Sequence, residues 1–152
     1  MSTESVRKQF LERGLGDPVF ELEESSATVE LAAKAIGVEP SLIAKTLSFR
    51  VKDRCILVVT KGDARIDNKK FKHFFGTKAK MLEFDEVENI TGHPVGGVCP
   101  FGLKGDLDVY IDNSIRDFEY VYPAAGASNA ALKISPLELE AITGGQWVDV
   151  CQ

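Results

Sequence analysis

The sequence predicts a single α/β domain of the α+β type, a mixed sheet with helices around it, and three observations predict it. The chain has 152 residues, 44% hydrophobic and 27% charged, the size and composition of one soluble core. Segments with strand-like and helix-like hydrophobic periods succeed one another without a regular strand-helix-strand rhythm, which argues against a purely parallel sheet. No internal repeat, linker or low-complexity tract divides residues 1–152.

In chain order, "STESVRKQFLERG" predicts a first helix with Ser2 or Thr3 as cap, Val6, Phe10 and Leu11 on one face, and Gly14 as stop. "VFELE" predicts a short strand. Val29, Ala32, Ala33 and Ile36 recur at helical spacing before Gly37, and Pro40 suits the first turn of a brief helix, "EPSLIA". "KTLSFRVKDRCILVVTKG" predicts a hairpin: Leu47, Phe49 and Val51 alternate with polar residues, while "CILVV" is apolar enough to be buried on both faces at the sheet centre. Asp67 or Asn68 caps a helix carrying Phe71, Phe74 and Phe75 that stops at Gly76. "KAKML" then reads as a strand and Asp85 as the cap of "EVENIT". "DVYID", "EYVYPA" and "ALKIS" are further strands, and Ser135, Pro136 and Glu138 form a capping box that opens a last helix, "PLELEAIT".

No run of 18 apolar residues occurs, and "MSTESVRKQF" lacks the apolar stretch of a signal peptide, so a cytoplasmic protein without a membrane partner is expected. Cys55, Cys99 and Cys151 are odd in number and widely spaced, with only His73 and His93 to join them as ligands. That pattern argues against a disulfide framework and a structural metal, and no cofactor motif is present. The net charge of −5 is unevenly spread: residues 61–80 hold seven Lys or Arg against Asp63 and Asp67, a local net of +5. "NKKFKH" is thus either a solvated helix face or a contact with phosphate.

The stretch "TGHPVGGVCPFG" is the most unusual in the chain. Its glycines permit close approach of another molecule to the main chain, and Pro94 and Pro100 stiffen the segment between them. It contains neither phosphate-loop pattern. Lys45 stands at the entrance of an apolar strand, as a solvated charge or as an ammonium that grips a carboxylate, phosphate or carbonyl oxygen. Cys99 invites a thiolate reading, but a nucleophilic cysteine needs a basic partner, and two glycines lie between it and His93. Asp112 either caps a turn or anchors a polar network. Ser-His-Asp order, paired carboxylates and H-E-x-x-H are all missing.

Five segments in order, "IAKTLSF", "VVTKGDARIDNKKF", "TGHPVGGVCPFG", "VYIDNSI" and "PAAGASNAALKI", resemble the YbaK and prolyl-tRNA-synthetase editing-domain family over about residues 20–145. Free-standing members of that family remove wrong amino acids from tRNA. The resemblance implies a mixed sheet curled toward a partial barrel with helices around it. It assigns the family lysine to Lys45 and the G-x-x-x-P loop to Gly96, Gly97, Val98, Cys99 and Pro100, which together bind the aminoacyl ester at the 3′ acceptor end of tRNA. Synthetase-embedded relatives carry a histidine on the later glycine loop, where this chain offers Gly126, Ser128 and Asn129. The resemblance also favours Lys69, Lys70 and Lys72 as contacts to the tRNA backbone and prolyl-tRNA synthetase as a partner.

The implied chemistry is metal-independent hydrolysis without a protein nucleophile. Lys45 holds the substrate, loop backbone groups stabilise the oxyanion, and the free ribose hydroxyl orients water. A pocket rich in Gly, Ala and Val favours alanine or 2-aminobutyrate on tRNA-Pro as the substrate. Two alternatives stand beside this one: a module that binds tRNA or a synthetase without catalysis, and a Cys99-dependent small-molecule hydrolase.

Overall fold

The computed structural model describes residues 2–152, and the strand expected at the sheet centre organises it. Strands β2 (Ile43–Val51) and β3 (Arg54–Lys61) form an antiparallel hairpin in which Leu47 opposes Val58 and Phe49 opposes Ile56. The hairpin turns at Lys52, whose φ of 58° is the left-handed geometry of a tight connection. β4 (Asp108–Asp112) lies parallel to β3, β7 (Gln146–Val148) lies parallel to β4, and β5 (Tyr122–Pro123) runs parallel to the outer edge of β2. The order is therefore β5-β2-β3-β4-β7. A small ladder of β1 (Phe20–Glu21) with β6 (Ala130–Ala131) joins the β5 side through bridges Ala124↔Ala131 and Val121↔Ile134. These bridges curl the sheet into a half-barrel.

Period-2 alternation along β3 gives each face its core. Ile56 and Val58 pack with Phe49, Phe71, Phe75 and Tyr110 beneath helix α3 (Asn68–Phe75). Val59 packs on the other face with Phe10, Cys99, Phe101, Ile111 and Leu139, beneath α1 (Ser2–Glu12) and α5 (Pro136–Thr143). Each large side chain so buried contributes about 1.5–3 kcal/mol before entropic costs. Helices α2 (Val29–Ile36), α3, α4 (Phe84–Thr91) and α5 all end on a glycine in the left-handed region, and α3 begins on Asp67, whose carboxylate accepts from Lys69 N and Lys70 N.

Several expected details differ. Ser2 and Thr3 lie inside α1 instead of capping it, and Leu11 is 68% exposed because it stands a helical step of about 100° from Phe10. "KAKML" makes a single bridge, Phe49↔Met81, since Glu83 caps α4 in a reciprocal box with Glu86 and the helix starts before a ladder can extend. Asp85 is consequently the second residue of α4 and not its cap. "EYVYPA" shortens to the two ladder residues Tyr122 and Pro123, and of "ALKIS" only Ala131 lies in β6, with Ile134 in an isolated bridge. β7 was not expected, because three residues after Gly144 and Gly145 are too few to display a period.

Candidate active site

A pocket of about 210 Å³ opens between α2, the outer edge of β2, the 95–98 turn and β5. Val29, Ala32 and Ile36 of α2 form one wall, Ala44, Thr46 and Ser48 of β2 another, and Val95, Gly96, Val98, Tyr122 and Ala124 most of the rest. Lys45 carries the one ammonium among these lining side chains. The edge of β2 is open at this point. β5 pairs with it at Ile43 and Ala44, and residues 80–82 pair at Ser48 and Arg50, leaving no strand partner on this outer edge for Thr46 between them.

Alternation places Thr46 opposite Val59 and Lys45 opposite Thr60, on the two faces of the strand. Lys45 is half-buried and its Nζ donates to the Ala64 carbonyl at 2.6 Å, in the loop that precedes α3. The Thr46 Oγ1 is buried without a hydrogen-bond partner. Sequence reasoning passed over Thr46 and Ser48, although polar residues alternating along a strand of otherwise apolar character are the signal that could have found them.

The glycine loop divides its labour. Pro94 to Gly97 is a turn closed by Gly97 N to the Pro94 carbonyl at 2.9 Å, and Gly96, at φ 93°, fills the third position that in a type II turn requires glycine. Gly97 is buried against the second glycine loop: a Cβ there would stand 2.5 Å from Ala127 N, and Gly126 N donates to the Gly97 carbonyl at 2.9 Å. Gly102 admits the backbone of α1 at Ser5 and Val6. Only Gly96 and Val98 of the five loop residues line the pocket, and their N–H groups make no hydrogen bond among the described residues.

Cys99 lies under the loop with no exposed surface, and burial pushes its thiol up to about 12. Such a thiol is not a thiolate near neutrality. Its neighbour His93 is also fully buried, with Nδ1 bonded to Ser2 Oγ and Nε2 to the Phe101 carbonyl at 2.6 Å. Burial lowers the imidazole's pKa, so the ring ties α1 to the loop as a neutral group. Gly126 touches Ser2 instead of the pocket. The Ser128 carbonyl accepts from Ser26 N at 2.6 Å and the Asn129 carbonyl from Leu22 N at 2.7 Å, so both residues hold the 22–26 segment, of which Ser26 lines the pocket.

On α3, Lys70 is engaged by Asp149 at 3.0 Å and by the Cys151 carbonyl at 3.0 Å, whereas Lys69 and Lys72 are exposed. Asp112 is buried and fills both expected roles: its carboxylate caps the 3-10 turn Asn113–Ile115 by accepting from Ser114 N, and its other oxygen accepts from Val150 N at 2.9 Å. Among the described residues no three His, Cys, Asp or Glu side chains gather as a metal site, and no helix is long and apolar enough to cross a membrane.

A half-barrel with an apolar pocket at an open strand edge, bounded by a glycine turn and one ammonium, defines the class of this domain by its fold and its site. The chain belongs to the aminoacyl-tRNA editing domain family, whose model matches residues 23–142. It is 51% identical, over all of this chain and 98% of the relative, to the uncharacterized protein YwhH of Bacillus subtilis (strain 168). It is 26% identical, over 86% of this chain and 81% of the relative, to EbsC of Enterococcus faecalis, a candidate Cys-tRNA(Pro)/Cys-tRNA(Cys) deacylase. A crystal structure described as a candidate trans-editing enzyme for prolyl tRNA synthetase superposes with a TM-score of 0.90 at 32% identity, covering 99% of this chain and 97% of that one.

Proposed function

We propose that this protein is a trans-editing aminoacyl-tRNA deacylase that hydrolyses the ester of tRNA-Pro mischarged with alanine or 2-aminobutyrate. The observation that carries this reading is the pocket itself: an apolar chamber with an ammonium and unpaired backbone N–H groups on its boundary. Val29, Ala32, Ile36 and Val98 receive the amino acid's side chain and select by size, since a single methylene is worth only about 1–3 kcal/mol in such a pocket. The N–H groups of Gly96 and Val98 are donors for the oxyanion that forms as water adds to the ester carbonyl. Lys45, on a flexible stem, exchanges the Ala64 carbonyl for an oxygen of the substrate and holds it in register. The free ribose hydroxyl orients the water, so the reaction needs neither a protein nucleophile nor a metal.

Support comes also from the buried state of Cys99, which argues against the thiol-hydrolase alternative. Lys69 and Lys72 supply cations for the tRNA backbone, and prolyl-tRNA synthetase is the source of the mischarged substrate. The test is a deacylation panel of tRNA-Pro charged with alanine, 2-aminobutyrate, cysteine, serine or threonine, with and without chelator. Turnover of the first two, unaffected by chelator, is expected. Binding of tRNA without hydrolysis of any ester would make the protein a non-catalytic module.

A further inference from the structure

Phe84 is 78% exposed, the most exposed aromatic side chain among the described residues. Other surface aromatics have partners: Phe74 packs edge-on against Phe75 and Tyr110, and Tyr120 lies beneath the Lys133 ammonium. Among the described residues Phe84 makes no aromatic or cation–π contact of this kind. It opens α4 at a position where the helix needs nothing from it, because Glu83 and Glu86 already satisfy the N-terminus. Solitary exposed apolar residues are ordinary, and Leu137, 76% exposed near the start of α5, is one. Location sets Phe84 apart. Three residues before it, Met81 lines the pocket, and three residues after it, on the same helical face, Val87 lines the pocket as well. Phe84 does not itself line the chamber; it stands exposed on the segment whose Met81 and Val87 do.

We propose that Phe84 is the platform on which the terminal adenine of the substrate stacks, an inference that rests on the deacylase reading of the pocket. When an amino acid occupies the chamber, its ester oxygen belongs to a ribose at the mouth, and the base is one sugar ring further out. A flat aromatic face on the 81–87 segment meets that base. Glu83, Asp85 and Glu88 carry negative charge beside Phe84 in sequence while Glu86 is paired with Arg50 at 2.8 Å, so this site offers a neutral purine face a stacking surface and offers a phosphate no cation. Stacking of this kind tolerates any purine and contributes to binding more than to the bond-breaking step.

Steady-state deacylation of alanyl-tRNA by the parent, Phe84→Ala, Phe84→Trp and Leu137→Ala proteins tests this. Phe84→Ala should raise KM roughly tenfold with kcat within about twofold, Phe84→Trp should keep the parental KM, and Leu137→Ala should match the parent. Binding of the trinucleotide CCA, followed through the ring resonances of Phe84, provides a readout independent of hydrolysis. Shifts of those resonances support the platform whether or not the ester is cleaved. An active parent whose KM is unchanged by Phe84→Ala would overturn the platform and leave the deacylase standing. An inactive parent that does not bind CCA would overturn both. Sedimentation showing a parental dimer that Phe84→Ala dissociates would assign the ring to contact with a second copy and overturn it too.

Discussion

Lys45 and Thr46 are neighbours in sequence and face opposite sides of one strand, so the two polar groups reach the pocket boundary from different directions. Removing the ammonium leaves the Ala64 carbonyl beside half-buried space and forfeits one hydrogen bond, worth about 1 kcal/mol. Lys45→Ala should therefore fold and melt nearly as the parent does, while kcat/KM on alanyl-tRNA falls by roughly a hundredfold or more, as for loss of one preorganised charge contact. Comparable turnover by the two proteins would remove Lys45 from the site. Cys99 provides the complementary case. Its sulfur lies 3.6 Å from the Phe101 carbonyl in a fully buried setting. A serine hydroxyl can donate to the same carbonyl, so Cys99→Ser should keep deacylation within about threefold and cost about 1 kcal/mol in urea titrations. Loss of activity in a folded serine variant, with an acyl adduct trapped on the parent thiol, would reinstate the cysteine mechanism.

The helices were readable in the sequence because their ends carry local chemistry: the Ser135 box, the Asp67 cap and the terminal glycines are signals within a few residues. Strand pairing is a contract between distant segments, and so β7 and the stunted "KAKML" strand were not legible. The glycine loop shows the same limit. Its sequence suggested access for a ligand, yet Gly97 and Gly102 admit the protein's own backbone, and only the fold discloses which glycine serves which approach. On α3 the basic run looked uniform, but Lys70 is spoken for by Asp149 and the Cys151 carbonyl. Lys69 and Lys72 are then the pair available for phosphate. Replacing both with glutamine should lower the slope of log KM against log salt by about two units at most, with little change in kcat. An unchanged salt profile would return them to solvated surface.

At the scale of the whole molecule, α1 is fastened to both glycine loops around one buried imidazole: Ser2 bonds His93 Nδ1, Ser5 Oγ donates to the Gly102 carbonyl at 2.9 Å, and Gly126 packs on Ser2. Nothing local to either segment marks this clasp, since His93 sits 91 residues from its serine partner. Its consequence is a dependence of stability on pH. Burial depresses the His93 pKa below its unfolded value near 6.5, so the unfolded chain binds a proton that the folded chain refuses. Stability contributed by the neutral ring is complete above that unfolded value and declines as pH falls through it toward the folded one, below which the curve levels. Glu86, whose carboxylate is held below its ordinary range by its bond to the Glu83 backbone, does not account for a decline between about pH 7 and pH 5. Urea titrations across that interval should show the parent losing stability toward acid, and His93→Gln, though less stable throughout, should show a flatter profile. A parent profile already flat over this range, or a glutamine variant with the parental slope, would mean that the imidazole is not the group on which the α1 clasp depends.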